Sequence, residues 1–342
     1  MKTVVLIMAG GRGERFYPLS RLNHPKQFLC LGKDNESMIQ KTVKRILPLV
    51  DIKDIYILTN ERYKNEMEKH LPDLPKENIF LEPMMKNTAP AIEYGLLKIK
   101  DRYEDANVVV LPSDHLINDE KEFRNIIQKS VEFVSDKNAI VTIGISPSSA
   151  NTNYGYIKLG KGEEIYKVDS FKEKPKLELA KQYLKEGNYV WNAGMFVFSL
   201  SSMLEAFKIY LPKQHKILTN DLNDFIKVDA ISIDYGVMEK ANNIHCIPGD
   251  FGWDDVGSFL ALERICPMDK NKNVIENKDV VTIDTKQTII KGTNKKLIAT
   301  LGVSNLVIVE TDDVILVADK DKVSDIKEVI KDLENKKLDK YI

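Results

Sequence analysis

Three glycines and four cations crowd one short stretch of this chain, VVLIMAGGRGERFYPLSRLNHPKQF, residues 4–28. Gly10, Gly11 and Gly13 lack side chains, so their backbone N–H groups can close around a phosphate chain. Arg12, Arg15, Arg21 and Lys26 fall within fifteen positions of one another, in a chain whose formal net charge is only -1. Amides that cradle and cations that neutralise are what a polyphosphate requires. Two acidic landmarks complete the set. Asp114 follows the apolar run NVVVLPS, where it can project from a strand end and give oxygen to a hard ion such as Mg²⁺. As a turn or helix-cap residue it would have a purely local job. The second landmark, GDFGWDDVGSF at 249–259, keeps Asp254 and Asp255 side by side, which is costly unless a cation shares them.

Two common phosphate loops fail against this stretch. A P-loop needs four residues between its glycines and then Gly-Lys-Ser/Thr, and no such ending exists. The dinucleotide fingerprint begins at Gly11-Arg12-Gly13, but Phe16 stands where its third glycine belongs. The density of Gly, Arg and Lys argues against the blander alternative, a glycine turn with solvated cations.

The elements that must position these groups follow from periodicity. Val4–Met8 is an unbroken apolar run, the pattern of a parallel strand buried on both faces. SMIQKTVKRILPLV predicts a helix over Met38–Leu47, DIYILTN a strand, ERYKNEMEKHL a helix, TAPAIEYGLLKIKDRY a helix and NVVVLPSD a strand. The alternation predicts a doubly wound α/β sheet, in which ligands sit beyond the carboxyl ends of the strands. The glycine loop after Met8 and the Pro112-Ser113-Asp114-His115 tetrad both lie at such ends. After AIVTIGI, the segments NTNYGYIKLG, IYKVDSFKEKP and YVWNAGMFVFS read as tyrosine-bearing strands suited to a sugar pocket. Glu173 and Lys174 there also read as a solvated charge pair on a turn. Beyond about residue 268, DVVTIDT, QTIIKGT, KLIATLG, NLVIVET and DVILVAD predict a β-rich module, closed by a helix that starts at a Ser324 cap.

Composition narrows the classes. A chain of 342 residues, 43% hydrophobic and 30% charged, can bury a large core and a smaller one. Its 50 basic and 51 acidic residues give no global bias toward nucleic acid. No apolar run is long enough to span a bilayer and no signal peptide is expected. Cys30, Cys246 and Cys266 are scattered without CxxC spacing, which suits a reducing cytoplasm and argues against structural zinc.

MAGGRGERFYPLSR followed by PKQF resembles the signature of the sugar nucleotidyltransferases. Its spelling is similar to the mannose-1-phosphate guanylyltransferase branch, as are EPMMKNTAPAI, LPSDH, FKEKP, WNAGMF and GDFGWDDVGSF. The resemblance covers about residues 1–265. It implies a Rossmann-like, doubly wound, mixed but mainly parallel sheet domain over 1–265, and a β-helix-like domain with a terminal helix over 266–342. It further implies that GTP and mannose 1-phosphate are converted to GDP-mannose and pyrophosphate with Mg²⁺, in a cytoplasmic homodimer. By the same resemblance the nucleotide would meet Ala9, Gly10, Gly11, Gly13, Asn87, Thr88 and Ser113, although Thr88 also suits a helix cap. Arg15 and Lys26 would neutralise the phosphates, Asp114 and Asp255 would hold the metal, and Gly155, Glu173, Lys174 and Asn192 would form the sugar-phosphate site. Lys86 stands where relatives often carry arginine, and Asp254 where they often carry serine. His115 is assigned a positioning role, because a phosphate nucleophile is already ionised and needs no general base. Two alternatives stay open: a sugar nucleotidyltransferase for another nucleotide or sugar, and a catalytically silent paralogue that binds nucleotide sugar.

Overall fold

The computed structural model describes residues 1–31 and 35–342. The chain forms two compact units: Met1–Gly10, Thr42–Ser113 and Ile117–Trp253 make the first, and Gly11–Lys41, Asp114–Leu116 and Asp254–Ile342 the second. The chain passes from one unit to the other within the glycine loop, within LPSDH and within GDFGWDDVGSF.

In chain order the strands of the first part are β1 (Thr3–Met8), β2 (Ile55–Asn60), β3 (Ile79–Glu82), β4 (Asn107–Pro112), the two-residue β5 (Leu116–Ile117), β6 (Ile140–Ile145), β7 (Tyr156–Leu159), β8 (Tyr166–Lys172), β9 (Tyr189–Ser199), β10 (Ile244–Gly249) and the two-residue β11 (Trp253–Asp254). The helices are α1 (Met38–Ile46), α2 (Lys64–His70), α3 (Thr88–Lys100), α4 (Glu120–Val134), α5 (Leu177–Glu186), α6 (Leu200–Tyr210) and α7 (Pro212–Asn220).

The first unit is built on a nine-stranded sheet of order β3-β2-β1-β4-β9-β6-β10-β8-β7. β8 and β9 run against the rest, so the sheet is mixed but mainly parallel. β1 is hydrogen-bonded to β2 on one side and β4 on the other, and Val4, Val5, Leu6 and Ile7 are wholly buried. Burial on both faces is why its apolar run is continuous instead of alternating. The parallel register pairs Met8 with Pro112, so the loops after β1 and β4 start side by side. α3 packs on this region, with Ala89, Ile92, Leu96 and Ile99 in one core with Leu6, Val108, Phe196 and Phe207.

The second unit carries α8 (Leu262–Ile265), β12 (Val274–Glu276), β13 (Val280–Ile283), β14 (Ile289–Lys291), β15 (Ile298–Leu301), β16 (Leu306–Glu310), β17 (Ile315–Asp319) and α9 (Ile326–Asn335). β12, β14 and β16 stack in parallel with Val274, Ile289 and Val307 in register, while β13 pairs in parallel with β15. Parallel coils stacked this way are a β-helix-like arrangement, closed by the antiparallel β17. Their inward residues share a core with Phe16, Tyr17, Leu29, Leu31 and Met38 of the early loop and with Val256, Phe259 and Leu262.

Phe16, Tyr17, Leu29, Leu31 and Met38 bury themselves in the β-rich core, which is why the loop after β1 belongs to the second unit. Two details differ from the sequence expectations. Ser324 does not cap the last helix: it lies in a 3-10 turn (Lys320–Asp325), its hydroxyl bonds Asp325, and α9 begins after Asp325. At α3 the cap is Asn87, whose Oδ1 accepts the Thr88 N–H at 2.8 Å, and Thr88 is the first helical residue.

Candidate active site

Lys26 is the hub of the second unit's polar residues. Its ammonium donates to Asp114 Oδ2 at 2.7 Å and to the Asp255 carbonyl oxygen, also at 2.7 Å. The side chain is only 8% exposed. The sequence holds it there through Gly13, whose φ of 62° is left-handed and against which the Lys26 backbone packs. A Cβ on Gly13 would lie 2.3 Å from the Lys26 Cβ, so no other residue fits without moving the lysine. Pro25 then starts the short 3-10 turn Lys26–Phe28, whose three side chains are all buried.

The four early cations have four different fates. Arg21 donates to the Pro18 and Tyr341 carbonyls and pairs with Asp313 at 2.7 Å, so it ties the fold and is not a phosphate ligand. Arg12 lies 3.6 Å from Glu14, which also meets Lys327. Lys26 holds Asp114 and Asp255. Arg15 is exposed on the 3-10 turn Glu14–Phe16 and has no ion-pair partner among the described residues.

Burial pushes the Asp114 carboxyl up, but the Lys26 ammonium, with support from His115 and the Lys26 hydrogen bond, holds it below the usual carboxylate range. Asp114 is thus an ionised, hard oxygen donor at neutral pH. No group of three or more His, Cys, Asp or Glu side chains able to hold a metal occurs among the described residues. The Asp114 carboxylate and the Asp255 backbone carbonyl on one lysine are hard oxygen donors, and such donors fit Mg²⁺, which is typically held by one or two carboxylates while substrate phosphates and water supply the remaining oxygens.

In the first unit, Ala9 is fixed by the sheet: its N–H donates to Leu58 and its carbonyl accepts from Thr59 Oγ1. Ser113 is buried, donates its N–H to Met8 and accepts from Thr42 through its carbonyl. Beside them lies a residue that the sequence did not single out. Glu82, at the end of β3, is 7% exposed, and its Oε1 is 3.2 Å from where a Cβ on Gly10 would sit. Burial raises its carboxyl to about 7. The segment after it returns to the sheet domain: Ile231 N–H donates to Lys86, Ala89 N–H to Ile231, and Ile233 N–H to Thr88 Oγ1. Asn87 itself is exposed with φ 70°.

The four expected sugar-phosphate residues converge in the same unit. Asn192 N–H donates to the Gly155 carbonyl at 2.9 Å, and a Cβ on Gly155 would lie 2.5 Å from Glu173 Oε2. Lys174, held at φ 44°, places its ammonium 2.6 Å from Glu173 Oε1. The Asn192 amide is oriented by Thr142, which donates to its Oδ1, and by Asp234, which accepts from its Nδ2 at 3.0 Å. Asp234 was also missed from sequence. Burial first, and then the nearby Glu173 charge, raise its carboxyl to about 7. Trp253 packs against Tyr154 in an aromatic cluster with Trp191.

Comparison with known proteins gives the family of the chain. The nucleotidyl transferase profile matches residues 4–272, and that of the MannoseP isomerase/GMP-like beta-helix domain matches 278–333. A mannose-1-phosphate guanylyltransferase of Salmonella muenchen is 40% identical, over 96% of this chain and 73% of the relative. One from Escherichia coli strain K12 is 37% identical, over 97% and 74%. A solved structure described as mannose-1-phosphate geranyltransferase from Thermus thermophilus is 36% identical, with a TM-score of 0.90 over 98% of this chain and 100% of that chain. This chain belongs to the nucleotidyl transferase family, in the branch of the mannose-1-phosphate guanylyltransferases.

Proposed function

We propose that this nucleotidyltransferase transfers GMP from GTP to mannose 1-phosphate. A phosphate oxygen of the sugar attacks the α-phosphorus, the bond from that phosphorus to the bridging β-phosphate oxygen breaks, and pyrophosphate leaves as GDP-mannose forms. The observation that carries this reading is Lys26 bridging Asp114 and Asp255, residues from three separate motifs of the chain.

The amides of Gly10, Gly11 and Gly13 face the triphosphate and Arg15 neutralises the departing pyrophosphate, while Lys26 stands at the α-phosphate. Asp114 and Asp255 would hold Mg²⁺, which would supply positive charge to the phosphate oxygens. Charge stabilisation and in-line positioning then suffice, since the attacking phosphate is already an anion. Ala9, Ser113, Asn87 and Thr88 bind the nucleotide. Glu82 selects the base: guanine presents N1–H and N2–H side by side, and a carboxylate accepts both. Gly155, Glu173, Lys174 and Asn192 hold the sugar phosphate, where the carboxylate and amide meet hydroxyls and the ammonium meets the phosphate.

The reading extends to a cytoplasmic homodimer, with 1–265 as the catalytic domain and 266–342 as the β-helix-like domain. Ile283, Leu301, Ile315 and Val317 are exposed on the strands of the β-helix-like domain, which supports self-association there. The three cysteines form no disulfide, in keeping with a reducing compartment, and no described helix is long and apolar enough to cross a membrane. Phosphorus-31 NMR of the chain with GTP, mannose 1-phosphate and Mg²⁺ tests the reaction: paired diphosphate signals of GDP-mannose with stoichiometric pyrophosphate support it, and unchanged GTP refutes it.

A further inference from the structure

Asp254 sits immediately before Asp255. Both of its carboxylate oxygens are already engaged. Oδ1 accepts the Val256 N–H at 2.7 Å and Arg264 Nη2 at 2.9 Å, while Oδ2 accepts Arg264 Nε at 2.5 Å. The pair is bidentate, and Asp254 is 13% exposed. A carboxylate committed on both oxygens to one guanidinium and one amide is a poor candidate for sharing an ion.

What those bonds secure is an unusual piece of backbone. Val256 has φ 45° and no exposed surface. A β-branched residue in the left-handed region is a genuine outlier and persists only where its surroundings over-determine it. The Asp254 carboxylate bonded to the Val256 N–H is one such constraint, and the burial of the Val256 side chain is another. The turn they hold contains Asp255, whose carbonyl meets Lys26. It also brings the Asp255 carboxylate over Gly257, where an added Cβ would be 3.0 Å from Asp255 Oδ2. Arg264 is itself anchored. It lies on α8, whose Leu262 is fully buried and whose Glu263 pairs with Lys320.

We infer that Asp254 and Arg264 are positioning residues: their ion pair clamps the strained Val256 turn and so fixes the carbonyl of Asp255 on Lys26 and its carboxylate toward the metal. The metal part of this inference rests on the reading given under Proposed function. A serine hydroxyl can accept the Val256 N–H in the same way but cannot form the bidentate pair with Arg264, which separates the two parts of the clamp.

The test is Mn²⁺ titration of the full chain, followed by electron paramagnetic resonance of the free ion, for wild type, Arg264→Ala, Asp254→Ala and Asp254→Ser. Unfolding midpoints check that each variant is folded. The clamp predicts that Arg264→Ala and Asp254→Ala lower Mn²⁺ affinity ~10–100-fold, the usual effect of removing a group that orients a metal ligand. Asp254→Ser keeps an acceptor for the Val256 N–H but loses the ion pair, so it recovers only part of that loss. In pyrophosphate release, kcat and the activating Mn²⁺ concentration shift while KM for mannose 1-phosphate does not. If Arg264→Ala keeps or raises Mn²⁺ affinity, Asp254 is a ligand released by the substitution and the clamp is overturned. Equal losses in Asp254→Ser and Asp254→Ala overturn it as well, as does a wild type that binds no Mn²⁺. A wild type that binds Mn²⁺ but releases no pyrophosphate refutes the proposed reaction, and the Mn²⁺ affinities of the variants then decide the clamp by themselves.

Discussion

Lys26 and Asp114 are 88 residues apart in sequence and 2.7 Å apart in the fold, with the lysine side chain almost wholly buried. The same ammonium reaches the Asp255 carbonyl, so one cation gathers the glycine-loop motif, LPSDH and GDFGWDDVGSF at one point of the second unit.

Replacing Lys26 with Met is expected to lower kcat by ~10²–10³, the usual effect of deleting a preorganised charge donor. It removes the chief influence that holds the Asp114 carboxyl down while leaving the burial that pushes it up. The acid limb of the pH–rate profile therefore moves to higher pH in the variant. Steady-state rates from about pH 5 to 8 check both effects, and an unmoved acid limb contradicts the coupling.

Arg15→Ala should reduce kcat by a similar ~10²–10³ with no change in fold. Because Arg15 is exposed and makes no ion pair among the described residues, unfolding free energy should stay within about 0.5 kcal/mol of wild type. Turnover close to wild type removes Arg15 from the reaction.

Glu82→Gln tests base selection. Gln keeps one acceptor and introduces a donor opposite the second guanine N–H, so kcat/KM for GTP is expected to fall ~10–100-fold, the value of a charged hydrogen bond. The same substitution has a pH signature in stability. Burial raises the carboxyl from 4.5 to about 7, so the folded chain binds a proton that the unfolded chain gives up. That contribution is greatest below pH 4.5 and is lost as pH climbs to about 7. Urea unfolding at about pH 4.5 and about pH 8 should show the variant gaining on wild type at the higher pH by at most about 3 kcal/mol. A difference independent of pH would falsify the assignment of a raised carboxyl.

Phe16 is wholly buried 5.1 Å from the Phe259 ring, in the core that joins the early loop to the β-rich strands. Phe16→Ala is expected to cost about 3–5 kcal/mol of stability. Denaturant unfolding measures it, and a cost below about 1 kcal/mol contradicts the packing described.

Much of this was legible in the sequence because local pattern and fold agree. The apolar run Val4–Ile7 announces a strand covered on both faces, and the structure gives it that environment. Gly155, Glu173, Lys174 and Asn192 could be named together only through resemblance, since nothing in their spacing brings them into contact. Glu82 and Asp234 were invisible for a different reason. A carboxylate in EPMMK or SIDYG looks solvated in sequence, and only burial by distant elements marks it out. Arg21 misled in the opposite direction: it resembles a phosphate cation by position, yet Asp313 and Tyr341, far along the chain, claim it. Capping was misread wherever two capping residues adjoin, as with Asn87 beside Thr88 and Ser324 beside Asp325.

The central claim is tested most directly by pyrophosphate release from the purified chain with GTP and mannose 1-phosphate, with Mg²⁺ or with EDTA, beside ATP, UTP and dTTP and beside glucose 1-phosphate. Metal-dependent release confined to the GTP and mannose 1-phosphate pair is the predicted result. Release that favours another nucleotide or sugar, release that persists in EDTA, or no release with any pair contradicts it.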